Sequence, residues 1–191
     1  MSKKIFTPEE SLLLIAQTIE ETKQRFKNNG HIIIFWGFLT FVVTLSQFIL
    51  LQLELYRINL YPCYLYPLGG IYTALYFWRK NQQNPRRQNP IVRILMAMGG
   101  ALGLNLLLLG FIFSDKLGEA MAPVFLILLA LFLIVCGVSI KFKPLIIGGI
   151  LLNLIGFAAF YFDSNYHSLI MAIGSVAGLI IPGILLNKNK E

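Results

Sequence analysis

The sequence predicts an all-α, polytopic membrane protein, with six transmembrane helices as three antiparallel hairpins behind an N-terminal amphipathic helix. Three observations carry this. Of 191 residues, 57% are hydrophobic and 13% charged, with a mean hydropathy of +0.70, far more apolar than a soluble domain. Apolar stretches near the ~20 residues that cross a ~30 Å hydrocarbon core recur along the chain. The one substantial polar interruption, residues 79–90, holds Arg79, Lys80, Arg86 and Arg87 with no acid, as expected of a cytoplasmic loop.

Residues 1–30 read as a cytoplasmic amphipathic helix and 31–191 as the transmembrane domain. The first segment does not read as a signal peptide, because its apolar run is brief and is followed by charges. Thr7 fits the N-cap, Pro8 the first helical position, and Glu10 completes a Thr-x-x-Glu capping box. Asn28, Asn29 and Gly30 are a stop signal. Leu12, Ile15, Ile19 and Phe26 share a stripe, with Glu9, Glu20, Lys23 and Lys27 elsewhere around the helix. Such a helix lies along the membrane surface or packs under the bundle, and a protein partner on it is the alternative.

Six spans follow, at about residues 31–53, 61–78, 94–113, 120–140, 144–162 and 168–186. Pro90 and Pro144 stand at helix starts and Pro123 close to one, where a missing N–H costs little. The links 54–60, 114–118, 141–143 and 163–167 are short, so consecutive spans should be antiparallel neighbours. Charge orients the whole. With the N-terminus inside, fourteen of the sixteen Lys and Arg residues are cytoplasmic, and only Arg57 and Lys116 lie outside. The acids divide five to four and contribute nothing. Both termini are therefore placed on the cytoplasmic face of the cytoplasmic (inner) membrane.

The net charge of +7 would point to nucleic acid in a soluble protein. Here the charge flanks the spans, and anionic lipid headgroups at Arg79, Lys80, Arg86 and Arg87 are the expected partners instead. Cys63 and Cys136 fall near opposite membrane faces, too far apart for a bond that needs Cα atoms within about 7 Å. No Cys/His cluster offers a metal site, and no cofactor is expected. Asp163 and His167, four apart in an outer loop, make at best a poor two-ligand site and read more simply as a solvated pair.

No Asp, Glu, Lys or Arg lies near the middle of any span, whereas ion-coupled carriers and proton relays usually need such groups there. The polar residues present are neutral. Gly37, Thr40, Thr44 and Gln47 form one stripe on the first span, and Asn105 and Asn153 lie close to the centres of the third and fifth. As a set they read as a midplane ligand site for a neutral or amphiphilic compound. Interhelical hydrogen bonding is the plainer alternative. In either case they are expected to face inward.

Small residues mark close packing. Gly99, Gly103 and Gly110 share a face of the third span, Gly149, Asn153 and Gly156 one of the fifth, and Gly174 and Gly178 mark the sixth. Gly99, Gly103, Gly174 and Gly178 also offer a route to a homo-oligomer. The stretches GGALGLNLLLLGF and GGILLNLIGF hint at a duplicated hairpin, though aligning them needs a gap. Pro67 with Gly69 and Gly70 should bend the second span, and Pro182 with Gly183 should loosen the end of the sixth. Tyr61, Tyr64 and Tyr66 form an outer aromatic belt, with Trp36 and Trp78 at the inner interface.

Residues 140–150 (IKFKPLIIGGI), 180–186 (IIPGILL) and the N-terminal ETKQRFKNNGHIIIFWGFL complete the pattern. Together they resemble a group of uncharacterised bacterial six-span membrane proteins. The resemblance implies a six-span protein that begins with a cytoplasmic helix, often encoded beside a small winged-helix regulator. It implies no substrate and no catalytic residue. The sequence therefore reads as a non-enzymatic accessory, sensory or scaffold component, and alternatively as a small permease or pore subunit. No nucleophile–base pair or carboxylate pair converges in one plane to suggest catalysis.

Overall fold

The structure is a computed structural model. It describes residues 7, 9–10, 12–14, 16–17, 19–20, 30–83 and 90–188. Among these every regular element is helical. The chain runs through α1 (Gly30–Gln52), a 3₁₀ turn (Tyr61–Tyr64), α2 (Leu65–Gln83) and α3 (Pro90–Phe111). A short helical turn (Ser114–Leu117) leads to α4 (Met121–Ser139) and then α5 (Lys143–Ala159). The last helix has two halves, α6 (Ser164–Ser175) and α7 (Ile181–Lys188), joined by a π turn (Val176–Ile180).

Among the described residues, four helical stretches are long and apolar enough to cross a membrane: Gly30–Gln52, Ile91–Phe111, Ser114–Ser139 and Ser164–Lys188. Two of the six expected spans lie outside this set, each for its own reason. α5 is apolar but has 17 residues, which at 1.5 Å each fall a few ångströms short of a ~30 Å core. α2 is long enough but carries Tyr66, Tyr72, Thr73 and Tyr76 and ends in Arg79, Lys80 and Asn81.

The capping box forms at the N-terminal helix. The Thr7 backbone N–H donates to Glu10 Oε2 at 3.0 Å, and the Glu10 N–H donates to Thr7 Oγ1 at 3.2 Å. The described residues from Glu9 to Glu20 are helical, with Ile19 half-buried and Leu12 exposed. Ile15, Lys23, Phe26, Lys27, Asn28 and Asn29, invoked for its stripe and stop, lie outside the described residues, as do Arg86 and Arg87.

Helix ends follow local chemistry. Pro90 opens α3 and Pro144 is the second residue of α5, as expected. α4 closes in a Schellman motif: Phe142 N–H donates to Gly137 O at 2.9 Å and Lys141 N–H to Val138 O at 3.1 Å. The motif requires a left-handed residue, and Lys141 supplies it at φ 51°. α1 ends the same way around Glu54, at φ 58°. Pro67, expected to bend the second span, falls in the first turn of α2, because the preceding residues form the 3₁₀ turn instead. Its missing N–H costs nothing there. Near Pro182 the disturbance is a π turn placed just upstream, in which Ile181 N–H reaches back to Val176 O.

Neighbouring helices run antiparallel, as their contacts show. On α1 and α2, Phe35 meets Tyr72 and His31 meets Tyr76. On α4 and α5, a Cβ at Gly137 would meet Ile146, one at Gly149 would meet Ile134, and one at Gly156 would meet Ile127. The extensive pairings are α4 with α5 and α1 with the last helix, while α2 and α3 make slighter contacts at the periphery. The arrangement is thus not three self-contained hairpins, since α1 packs far more on the last helix than on α2.

The core lies where α4, α5 and the last helix meet. Leu126, Ala130, Leu133 and Cys136 of α4 face Leu145, Leu152 and Ala159 of α5, with Leu179 and Leu186 from the last helix. On α4 and α5 the buried positions recur every three or four residues, so each helix turns one face inward. Glycines bring the backbones together. A Cβ on Gly137 would stand 2.8 Å from the Ile146 backbone nitrogen, and one on Gly148 would stand 2.5 Å from Pro182. Gly70 has nothing within 4 Å of such a Cβ.

Gly137→Ala should therefore lower stability by about 1–3 kcal/mol through overpacking. Gly70→Ala, on an open helix surface, should be neutral or stabilise by up to about 1 kcal/mol. Thermal unfolding in one detergent compares the two, and equal effects would refute the close approach at Gly137. Lys141→Gly should stabilise by about 0.5–1 kcal/mol by relieving the left-handed strain. A loss of stability in the same assay would contradict the turn described.

Candidate functional site

The polar residues of α1 are engaged mainly by α2. Trp36 Nε1–H donates to Thr73 Oγ1 at 3.1 Å, and the Thr73 hydroxyl donates to Gly69 O at 2.8 Å. Further along lies the half-buried Thr40. Gln47 Nε2–H then donates to Cys63 Sγ at 3.1 Å. Trp36 and Gln47 are eleven residues apart, about three helical turns, so one face of α1 presents both. The result is a polar ladder of two rungs between α1 and the segment that holds Cys63 and α2. Each rung satisfies a group that would otherwise meet hydrocarbon.

The other expected members of the α1 stripe go elsewhere. Thr44 is buried and its hydroxyl donates to Thr40 O of its own helix at 2.8 Å. A Cβ on Gly37 would stand 2.8 Å from Leu179 and Ile180, so Gly37 belongs to the contact with the last helix.

Asn105 and Asn153 do not join this ladder. Asn105 lies on the exposed side of α3, where its Nδ2–H donates to Ala101 O at 2.8 Å. Asn153 is half-buried on α5. The expected midplane set of Thr40, Thr44, Gln47, Asn105 and Asn153 is therefore not one site. α3 packs its inner face on α4, and this turns Asn105 outward rather than toward α1. The inward orientation expected of every polar group fails at this residue.

The glycines divide similarly. Gly174 and Gly178 pack inside the chain against Leu152, and Gly99 meets the Phe132 ring. Gly103 has nothing within 4 Å of an added Cβ. Only Gly103 of these four has room for a Cβ with no neighbour near it.

His167 is buried at the turn between α5 and α6. Its Nε2 lies 3.0 Å from both Ala159 O and Phe162 O. Both partners are acceptors, so Nε2 carries a hydrogen and caps the carboxyl end of α5. Asp163 precedes α6 and is exposed. Among the described residues no group of three or more His, Cys, Asp or Glu could hold a metal ion. Cys63 and Cys136 are both free thiols.

At the other end of the α1–α2 pair, Lys80 Nζ donates to Tyr76 OH at 3.1 Å and lies 5.3 Å from the centre of that ring. Tyr76 meets His31 edge-on at 5.1 Å. Arg79 and Trp78 are exposed beside them. Their stems and rings can rest on hydrocarbon while the charges reach the headgroup layer.

A groove of about 270 Å³ runs between α5 and the last helix, lined by Ile147, Gly148, Leu151, Ala177, Ile181 and Pro182 among others. Every side chain on it is apolar, so it suits a hydrocarbon chain and offers no fixed charge.

No family model, curated protein or solved structure matches this chain.

The α1–α2 ladder makes a quantitative expectation. In a double-mutant cycle, Trp36→Phe and Thr73→Val should show a coupling of about 0.6 kcal/mol, as intramembrane hydrogen bonds commonly do. Strict additivity would mean that this rung holds nothing.

Proposed function

We propose that the chain is a non-enzymatic integral protein of the cytoplasmic membrane, acting as an accessory, sensory or scaffold component. In this reading α2 and α5 also cross, giving six spans with both termini cytoplasmic. The fourteen-to-two distribution of basic residues supports that threading. Arg79, Lys80, Arg86 and Arg87 then meet anionic headgroups, and the N-terminal helix lies at the same face as a docking element.

One observation carries the reading. The centre of the bundle is closed by tight contacts at Gly137, Gly148, Gly149 and Gly156, where an added Cβ would stand within 3 Å of an atom of the neighbouring helix. Helices held so closely leave no room between them for a solute, which favours a packed platform over a conduit.

The groove between α5 and the last helix favours the second reading, a small permease or pore subunit for a neutral or amphiphilic compound. It lies beside the packed centre and opens to the lipid side, so an amphiphile could use it without crossing the core.

Two measurements test these statements. Proteoliposomes should release neutral and amphiphilic solutes no faster than protein-free vesicles. A flux that Leu151→Trp abolishes would favour the permease. An impermeant thiol reagent should label Cys63 from the periplasmic side of oriented vesicles. Labelling from the cytoplasmic side alone would reverse the threading.

A further inference from the structure

α3 is the least enclosed of the four helices able to cross a membrane. Only 6% of its apolar window is buried, against 22–44% for the others. Its inner face is set by Val92, Leu95 and Gly99, with Gly110 against Phe125 of α4. On the opposite face Ala97, Ala101, Leu104, Asn105 and Leu108 recur at helical spacing, and all are exposed.

Asn105 is what distinguishes this face from an ordinary lipid-facing surface. It lies six residues before the end of α3 at Phe111, about 9 Å along the axis and well within the apolar span. One N–H is taken by Ala101 O of its own helix. The second N–H and Oδ1 have no partner among the described residues. Hydrocarbon supplies neither a donor nor an acceptor, so an amide held there is costly. Whatever covers the face must offer both, at the same depth, on a surface that fits against two alanines.

A second copy of this chain meets all three requirements. Two copies inserted in the same sense are related by a two-fold axis along the membrane normal, which puts identical residues at identical depth. Each Asn105 can then donate its free N–H to the Oδ1 of the other. Ala97 and Ala101 lack bulk and let the two helices approach closely. We propose that the outer face of α3 is a homodimer interface, joined within the membrane by reciprocal hydrogen bonds between two Asn105 amides. The proposal rests on α3 crossing the bilayer and is independent of whether the protein is a scaffold or a permease.

The full chain in native membranes is the material for the test. With an oxidant, Ala101→Cys should give a covalent dimer. Leu154→Cys, on the exposed side of α5, should give no more than the background from the two native thiols. In vesicles, single-molecule photobleaching of labelled protein should show Asn105→Leu weakening association about five- to thirtyfold, the range for an intramembrane polar pair in model peptides. Asn105→Gln should retain most of it. Equal association of wild type and Asn105→Leu would overturn the proposal. So would cross-linking at Ala101 no stronger than at Leu154, or cross-linking of Ala101→Cys to a protein of different mass.

Discussion

Lipid tails are as apolar as leucine, so helices within a bilayer gain little by hiding leucines from it and are drawn together by close contact. In this chain that contact is concentrated where α4, α5 and the last helix meet. Gly137, Gly149 and Gly156 set the α4–α5 approach, and Gly148 takes the Pro182 ring at its surface. Leu126, Leu145 and Leu152 can be fully enclosed because the backbones around them are so near. α1 is added through the same device, with Gly37 against Leu179 and Gly183 against Ile34. α2 and α3 lack such contacts over most of their length, and their exposure follows.

The α1–α2 pair is held by different means. Its glycine contact is a single one, Gly69 on Leu39, and the rest is aromatic rings and polar rungs. Rings and hydrogen bonds fix register where shape alone does not. That suits a peripheral pair with exposed outer faces, and it accounts for the neutral polar residues concentrated on α1. Such bonds are modest individually in a membrane because the unfolded chain also finds partners there. Their contribution is direction more than strength.

How much of this was legible beforehand follows from what distinguishes one residue from another in a bilayer. The Thr7–Glu10 box and the proline-led starts of α3 and α5 were readable, since each depends on local chemistry within a single turn. The close packing around Gly148, Gly149 and Gly156 was readable too, because glycine has few other uses within an apolar helix. The direction of Asn105 was not. Lipid-facing and protein-facing positions on α3 are equally apolar, so periodicity cannot say which side is in. Gly103 shows the same blindness, being spaced from Gly99 like a packing pair yet open in the fold. The Gln47–Cys63 and Trp36–Thr73 pairs needed the α1–α2 register, which no single helix carries. The helix expected from residue 61 begins later, because residues 61–64 wind as a tight turn before it.

The π turn at Val176–Ile180 has a consequence for what the last helix can touch. A π turn holds one residue more than an α turn, and each residue of an α-helix advances the facing direction by about 100°. Upstream of Pro182, Gly174 and Gly178 address Leu152 of α5; just beyond it, Gly183 addresses Ile34 of α1. The extra residue acts as a phase shifter, letting one continuous rod keep two partners that a uniform helix would present differently. Removing any one residue between 176 and 180 would rewind the turn to α geometry and swing Gly183 away from α1. In this segment the number of residues is as constrained as their chemistry, and insertions or deletions should be tolerated less well than apolar substitutions.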